Sequence, residues 1–274
     1  MKGVILILSS MFFSNLFSQG LENILVEKYY ISNTSDTLLN QYSGALKPGS
    51  TTYRVYVDLL PGYRLQAVYG TKKHPLVIKS STYFYNNGDL GNISPNVIPR
   101  KALWRNTLML DSWLTIGTAS EEFVGIPKSY DDTLYTVAHE KSYLKNKTRR
   151  MGVSLLNKDG MKSIPETPKI TFFGIDSLEY VFGNKCQGNN LYVDNGAWAT
   201  LGKGTVGADS LGRNQVLIAQ LTTDGTLTMD INIQIGSPDG KIINYVARNP
   251  EGSEQLNNSL SFTIDKKRKL KLIK

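Results

Sequence analysis

From residue 227 to residue 235 apolar and polar side chains alternate without a break, Leu227, Met229, Ile231, Ile233 and Ile235 against Thr228, Asp230, Asn232 and Gln234. A period of two puts all five apolar side chains on one face of an extended chain and spreads them around a helix, so the segment predicts a strand with one face on a core and one wetter face. Thr52–Asp58 repeats the pattern, with Tyr53, Val55 and Val57 on one side and Arg54, Tyr56 and Asp58 on the wetter one. Val216–Leu221 is almost continuously apolar, as in a central strand covered on both faces.

Turn chemistry separates these runs. Lys47-Pro48-Gly49-Ser50, Leu60-Pro61-Gly62, Asn86-Asn87-Gly88-Asp89, Thr223-Asp224-Gly225 and Ser237-Pro238-Asp239-Gly240 supply the fixed φ of proline or the positive φ that Gly, Asn and Asp tolerate. Short strands punctuated in this way predict an all-β chain, a two-layer antiparallel β-sandwich of jelly-roll or Ig-like type over residues 19–264. Residues of about 119–165 are polar and poorly periodic and read as a partly irregular insertion with a short helix around 134–144. Trp113-Leu114-Thr115-Ile116-Gly117 and Trp198-Ala199-Thr200-Leu201-Gly202 share one pattern without a common offset from their neighbouring Arg-Asn pairs. Two equivalent strand edges in one sandwich fit this echo better than tandem domains, and both tryptophans are expected in the core.

Residues 1–18 carry Lys2, a short apolar run and small residues before Gln19, the pattern of a secretory signal peptide; serines and Asn15 interrupt the run too often for a membrane span. The expected location is therefore secreted, extracellular or at the cell surface. The net charge is +8, but residues 265–274 contribute +5 and Lys2 one more, which leaves +2 for residues 19–264. A field able to hold a nucleic acid is missing from most of the chain. The basic tail reads as a solvated, frayed end, with an electrostatic hook for anionic envelope polymers or lipid as its functional alternative. Cys186 stands alone, so stability has to come from a core rather than from an internal disulfide, and two histidines, His74 and His139, do not make a zinc set.

Planar rings with polar rims suit the CH face of a sugar, and Trp104, Tyr83 and Tyr85, with Tyr29 or Tyr30, are the aromatic candidates. Tyr83 and Tyr85 are expected on one side of a strand. Hard oxygen ligands for calcium are Asn86, Asp89, Asp194 and Asp209, although ordinary turn formation explains the same residues. A glycan hydrolase would need two carboxylates about 5 to 9.5 Å apart, for which Asp111 with Asp58 or Asp194 are the candidates. Phosphate-binding glycine loops and a Gly-x-Ser-x-Gly elbow do not occur.

The stretches Val55-Tyr56-Val57, Tyr83-Phe84-Tyr85-Asn86, Asp111–Gly117, Asp194–Trp198 and Gly212–Gly225 occur in an order that, over roughly residues 50–236, resembles a secreted bacterial β-sandwich module of large cell-surface or exported proteins. The module has no established activity, so the resemblance implies an extracellular, non-enzymatic role and carries over no catalytic residue. The chain departs from it in a longer, more charged 119–165 segment. The expectation is an exported, non-catalytic sandwich without a required cofactor. It would bind or associate with extracellular polysaccharide or a surface protein, with a carbohydrate-binding module as the alternative and a glycan hydrolase behind that.

Overall fold

The computed structural model describes residues 20–38, 46–105, 107–128, 155, 159–184, 188–208, 212–267 and 269–273. The expected signal segment, the helix expected around 134–144, His139 and Cys186 lie outside them. In chain order the strands are β1 (Leu21–Ile31), β2 (Thr51–Leu59), β3 (Arg64–Gly70), β4 (Leu76–Ser80), β5 (Trp113–Leu114), β6 (Thr118–Ser120), β7 (Phe123–Gly125), β8 (Met161–Ser163) and β9 (Ile170–Phe173). They continue with β10 (Asn190–Val193), β11 (Gly196–Thr200), β12 (Asn214–Thr223), β13 (Leu227–Asp230), β14 (Asn232–Gly236), β15 (Ile242–Val246), β16 (Gln255–Leu256), β17 (Ser261–Ile264) and β18 (Leu270–Leu272). The α-helices are single turns, α1 (Thr34–Leu38) and α2 (Leu178–Phe182).

The alternating run 227–235 is two strands. β13 belongs to the sheet β10-β4-β13-β17-β18 and β14 to the sheet β16-β15-β14-β3-β11-β9, and the chain passes from one to the other at Ile231. The alternation survives the corner, because all five apolar residues are fully buried in one core. The β3–β4 and β10–β11 connections cross between the same two sheets beside it, so three neighbouring connections share the corner. The corner is tight: a Cβ on Gly70 would sit 2.0 Å from the Val193 carbonyl oxygen, closer than any side chain allows. The buried Asn232 fastens it by donating from Nδ2 to the carbonyls of Tyr69 (3.1 Å) and His74 (2.8 Å).

The sheet β1-β2-β12-β5 packs over this bent pair. Ile24, Val55, Val57, Val216 and Leu221 meet Val68, Ile78, Trp198, Met229 and Phe262 in the main core, which makes the all-β sandwich. β12 is buried along its whole length, as its apolar run predicts. A bulge between Leu217 and Ala219 puts Ile218 and Ala219 together on the main core while Leu217 faces the other way.

That other way is not the wetter face expected from Arg54 and Tyr56. Tyr29, Tyr56, Trp113 and Leu217 form a second core with Leu103, Leu108, Met109 and Leu110 from the irregular stretch before β5 and with Phe123 and Met161 from the small sheet β6-β7-β8. Arg54 and Tyr56 are fully buried beneath this cover. Residues 119–128, expected as the start of a polar excursion, are therefore mostly structural: apart from Glu121 and Glu122 they are buried. Trp113 and Trp198 are core residues, and the two echo motifs touch, with Trp198 Nε1 donating to the Thr115 carbonyl at 3.0 Å. Both motifs end in a left-handed glycine, Gly117 at φ +87° and Gly202 at +86°, matching strand ends rather than duplicated domains.

The basic tail is also ordered differently from expectation. Leu270–Leu272 pairs antiparallel with β17, so the sheet continues into residues read as a frayed end. Across the described residues no helix is long and apolar enough to cross a membrane.

Asn232→Ala should leave the Tyr69 and His74 carbonyls short of a buried donor and lower unfolding free energy by about 1–3 kcal/mol, read as a reduced urea midpoint at unchanged slope. A change below about 0.5 kcal/mol would mean that backbone pairing alone holds the corner.

Candidate functional site

The second core contains charge. The Arg54 guanidinium is fully buried, with Nε on Gln220 Oε1 at 2.9 Å, Nη1 on the Gly160 carbonyl at 2.8 Å and Cζ 3.7 Å from the Tyr29 ring centroid. Gln220 stands beside Arg54 in the β12–β2 register and donates to the carbonyls of Met109 (3.0 Å) and Asp111 (2.7 Å). Lys128 is buried close by, hydrogen-bonded from Nζ to the Tyr29 carbonyl and 4.8 Å from the Tyr29 ring, and its amide donates to Glu27 Oε1 at 2.7 Å. Burial pushes Lys128 down to about 8 and raises Glu27, against the attraction between the two. Tyr29 Oη donates to the carbonyl of the buried Asp159 at 2.8 Å. Two acids and two bases thus sit together, Arg54, Lys128 and Asp159 buried and Glu27 partly so, and neither cleft described below is lined by any of them. The cluster fastens β1, β2 and β12 to the segments that cover them.

Asp111 is likewise committed to structure. One carboxylate oxygen accepts the Asn87 amide (2.7 Å) and the other the Asn92 amide (2.9 Å), which holds the turn 87–92. Asn87 Oδ1 accepts the amides of Asp89 (3.2 Å) and Leu90 (3.0 Å) within that turn. Burial outweighs these donors and pushes the Asp111 carboxyl up to about 8. Asp58 accepts from Gln215 Nε2 at 3.1 Å on the sheet, while Asp194 is exposed at the β10–β11 turn. Neither cleft described below is lined by any of the three.

The aromatic candidates separate in the same way. Tyr85 is buried, its hydroxyl hydrogen-bonded to Thr107 Oγ1 and its amide to the Thr222 carbonyl, so it has no ring face to offer. Tyr29 and Tyr30 are buried too. Tyr83 is partly buried with Lys47 Nζ 5.0 Å from its ring centroid, and residues 83–86 run beside β12 without forming a strand. Trp104 alone of the three tryptophans is exposed, at 44%, against 2% for Trp113 and 0% for Trp198.

Its setting explains why. Arg100–Ala102 forms a 3-10 turn that seats Leu103 in the second core and leaves the next residue, Trp104, outside. The Ile98 carbonyl accepts both the Glu121 amide (2.9 Å) and Ser120 Oγ (2.8 Å), so this segment is fastened to the β6–β7 turn. Between them opens a cleft of about 630 Å³ lined by Pro99, Arg100, Lys101, Trp104, Glu121, Glu122, Phe123 and Ser163. The Arg100 guanidinium lies 4.9 Å from the Phe123 ring centroid, and Glu122 holds the left-handed φ of +64° that a non-glycine residue seldom adopts. Two acids and two bases cancel, so the cleft offers an indole and hydrogen-bonding groups without a net field. A second cleft of about 480 Å³, with Arg64, Glu166, Lys169, Thr200, Leu201 and Val206 in its wall, has no aromatic ring.

Of the calcium candidates, Asn86 is buried with Nδ2 on the Val181 carbonyl at 2.8 Å, Asp89 and Asp194 are exposed on separate turns, and Asp209 lies outside the described residues. Among the described residues no three of His, Cys, Asp and Glu are grouped as metal ligands. The cleft partners of Trp104 escape sequence reading because Glu121 and Glu122 are far from it along the chain. The bases of Arg100-Lys101 and Arg105 flanking an aromatic were the available signal. Comparisons with family models, curated proteins and solved structures return no match.

With Asp111 raised to about 8 in the fold, the folded protein binds a proton that the unfolded chain has released above its ordinary carboxylate value, so stability should fall as pH rises between about 4 and 8. The slope from this group is at most about 1.4 kcal/mol per pH unit. Asp111→Asn should be less stable at low pH, where an amide faces the Asn87 or Asn92 donor, and should flatten the decline. Urea unfolding at a series of pH values checks this, and an equal slope in both proteins would assign the decline elsewhere.

Proposed function

We propose that this chain is an exported, non-catalytic β-sandwich protein that acts by binding at the cell surface or in the extracellular matrix, and that the Trp104 cleft takes a neutral glycan. The observation that carries the reading is an indole 44% exposed in an open cleft beside Arg100, Lys101, Glu121, Glu122 and Ser163. An exposed ring ordinarily costs solvation, and a sugar's CH face recovers it while its hydroxyls meet the polar rim. The cleft size is in the range of a small-ligand site. The balanced charge favours a neutral polymer over an anionic one. Export is supported by the pattern of residues 1–18. A non-catalytic role is supported by Asp111, whose carboxylate oxygens both accept backbone amides.

A glycan array probed with the protein, with calcium and then with chelator, should give selective binding in both conditions. Titration with a hit should shift tryptophan emission through Trp104, since the other indoles are buried, and Trp104→Ala should weaken binding at least about tenfold while Tyr85→Phe leaves it unchanged. A blank array, or binding that persists in Trp104→Ala, overturns the glycan assignment, and turnover of a polymer by the pure protein overturns the non-catalytic one.

A further inference from the structure

β18 is the last strand of its sheet, and its outer side meets no other strand among the described residues. The β17–β18 turn is closed by Asp265, whose amide donates to the Lys269 carbonyl (3.1 Å) and whose carboxylate accepts the Lys269 amide (3.0 Å) and lies 3.5 Å from Lys271 Nζ. At the other end the Ile273 amide donates to the Ser261 carbonyl at 3.0 Å. In an antiparallel ladder alternate residues turn both backbone groups toward the partner strand. With Lys269 and Ile273 bonded to β17 and Lys271 midway between them, opposite Thr263, the N–H and C=O groups of Leu270 and Leu272 point away from the sheet.

The side chains alternate by the same rule. Leu270 stands opposite Ile264 and Leu272 opposite Phe262, both main-core residues, so the two leucines prolong the core row beyond its cover and are 47% and 52% exposed. Lys271 falls on the other face, in a row that runs through Thr263 and Thr228 to Lys79. Lys266, Lys267 and Lys269 surround the turn, against Asp265 as its one acid.

We propose that β18 is a docking edge for an extended acidic segment of a protein partner, which adds as a further strand with apolar residues over Leu270 and Leu272 and acidic residues beside Lys271. Lysines on a sheet edge keep identical edges apart. Two copies of this edge would set the same cations against each other, so the second-copy arrangement is disfavoured by the groups that favour an acidic strand. A charge hook alone leaves the two exposed leucines and the outward amides without a role. This surface is separate from the Trp104 cleft and does not depend on it.

The probe is an acetylated, amidated peptide alternating Glu and Val over seven residues, titrated against the protein. Residues directly opposite in a ladder share a face, so the valines lie over the leucines and carry the amides that meet β18. N-methylation of the valine amides should weaken binding at least about tenfold, whereas N-methylation of the glutamate amides should not. Hydrogen exchange should show the Leu270 and Leu272 amides fast in the free protein and protected by the peptide, with Lys271 slow in both. Lys271→Glu should lower affinity for the unmodified peptide.

Equal loss with either methylated set, or binding of phosphatidylglycerol vesicles without protection of Leu270 and Leu272, reduces the edge to simple electrostatics and overturns the proposal. Self-association that protects the same amides assigns the edge to a second copy instead. These readouts use the unaltered protein, so they hold even if the variant fails to fold.

Discussion

A guanidinium leaves water only where other groups replace it, and the burial of Arg54 fixes how the layers of this protein sit on one another. Its partners come from elements distant in sequence: Gln220 on β12, the Gly160 carbonyl before β8 and the Tyr29 ring on β1. Gln220 passes the restraint to the carbonyls of Met109 and Asp111, and the Asp111 carboxylate passes it to the turn 87–92. Glu27, Lys128 and Asp159 bring the charges to balance. Breaking such a buried set by removing one partner typically costs about 3–5 kcal/mol, because the remaining charge is stranded. The second core therefore depends on polar fit as much as on its apolar area.

Period and turn chemistry made the main core legible. Val55, Val57, Met229 and Ile233 are where alternation puts them, β12 is central as its apolar run implies, and all five turn clusters separate elements. Alternation could not tell that residues 227–235 cross between sheets, since a bend that keeps the period leaves no trace in the pattern. It also misread Arg54 and Tyr56 as solvated, because a polar residue on a strand looks the same whether water or a satisfied network covers it. Leu270 and Leu272 were hidden by the lysines around them, since composition weighed more than alternation over so short a stretch.

The candidate site was half legible. Trp104 could be picked out as a ring able to stack on a sugar, but nothing local separates it from Tyr85, which is buried with its hydroxyl hydrogen-bonded to a residue 22 positions away. Glu121 and Glu122 join Trp104 only because the Ile98 carbonyl fastens two segments side by side. The charge of the chain is also divided by place. The cleft is balanced while the β18 edge is basic, so one molecule carries a cleft of no net charge and a separate cationic edge.

The corner at Ile231 sets what changes of length the chain can accept. Because β13 and β14 share one unbroken alternation, deleting or inserting a single residue between Leu227 and Ile235 would reverse inside and outside in one of the two sheets, whichever side of the corner it falls on. β4 and β3, beside them, would lose their register with it. Ser237–Gly240, a few residues further on, joins β14 to β15 on the exposed side and belongs to neither alternation. Extra residues there would lengthen a loop and leave both sheets in place, so tolerance to insertion changes from none to ample within about one turn of chain.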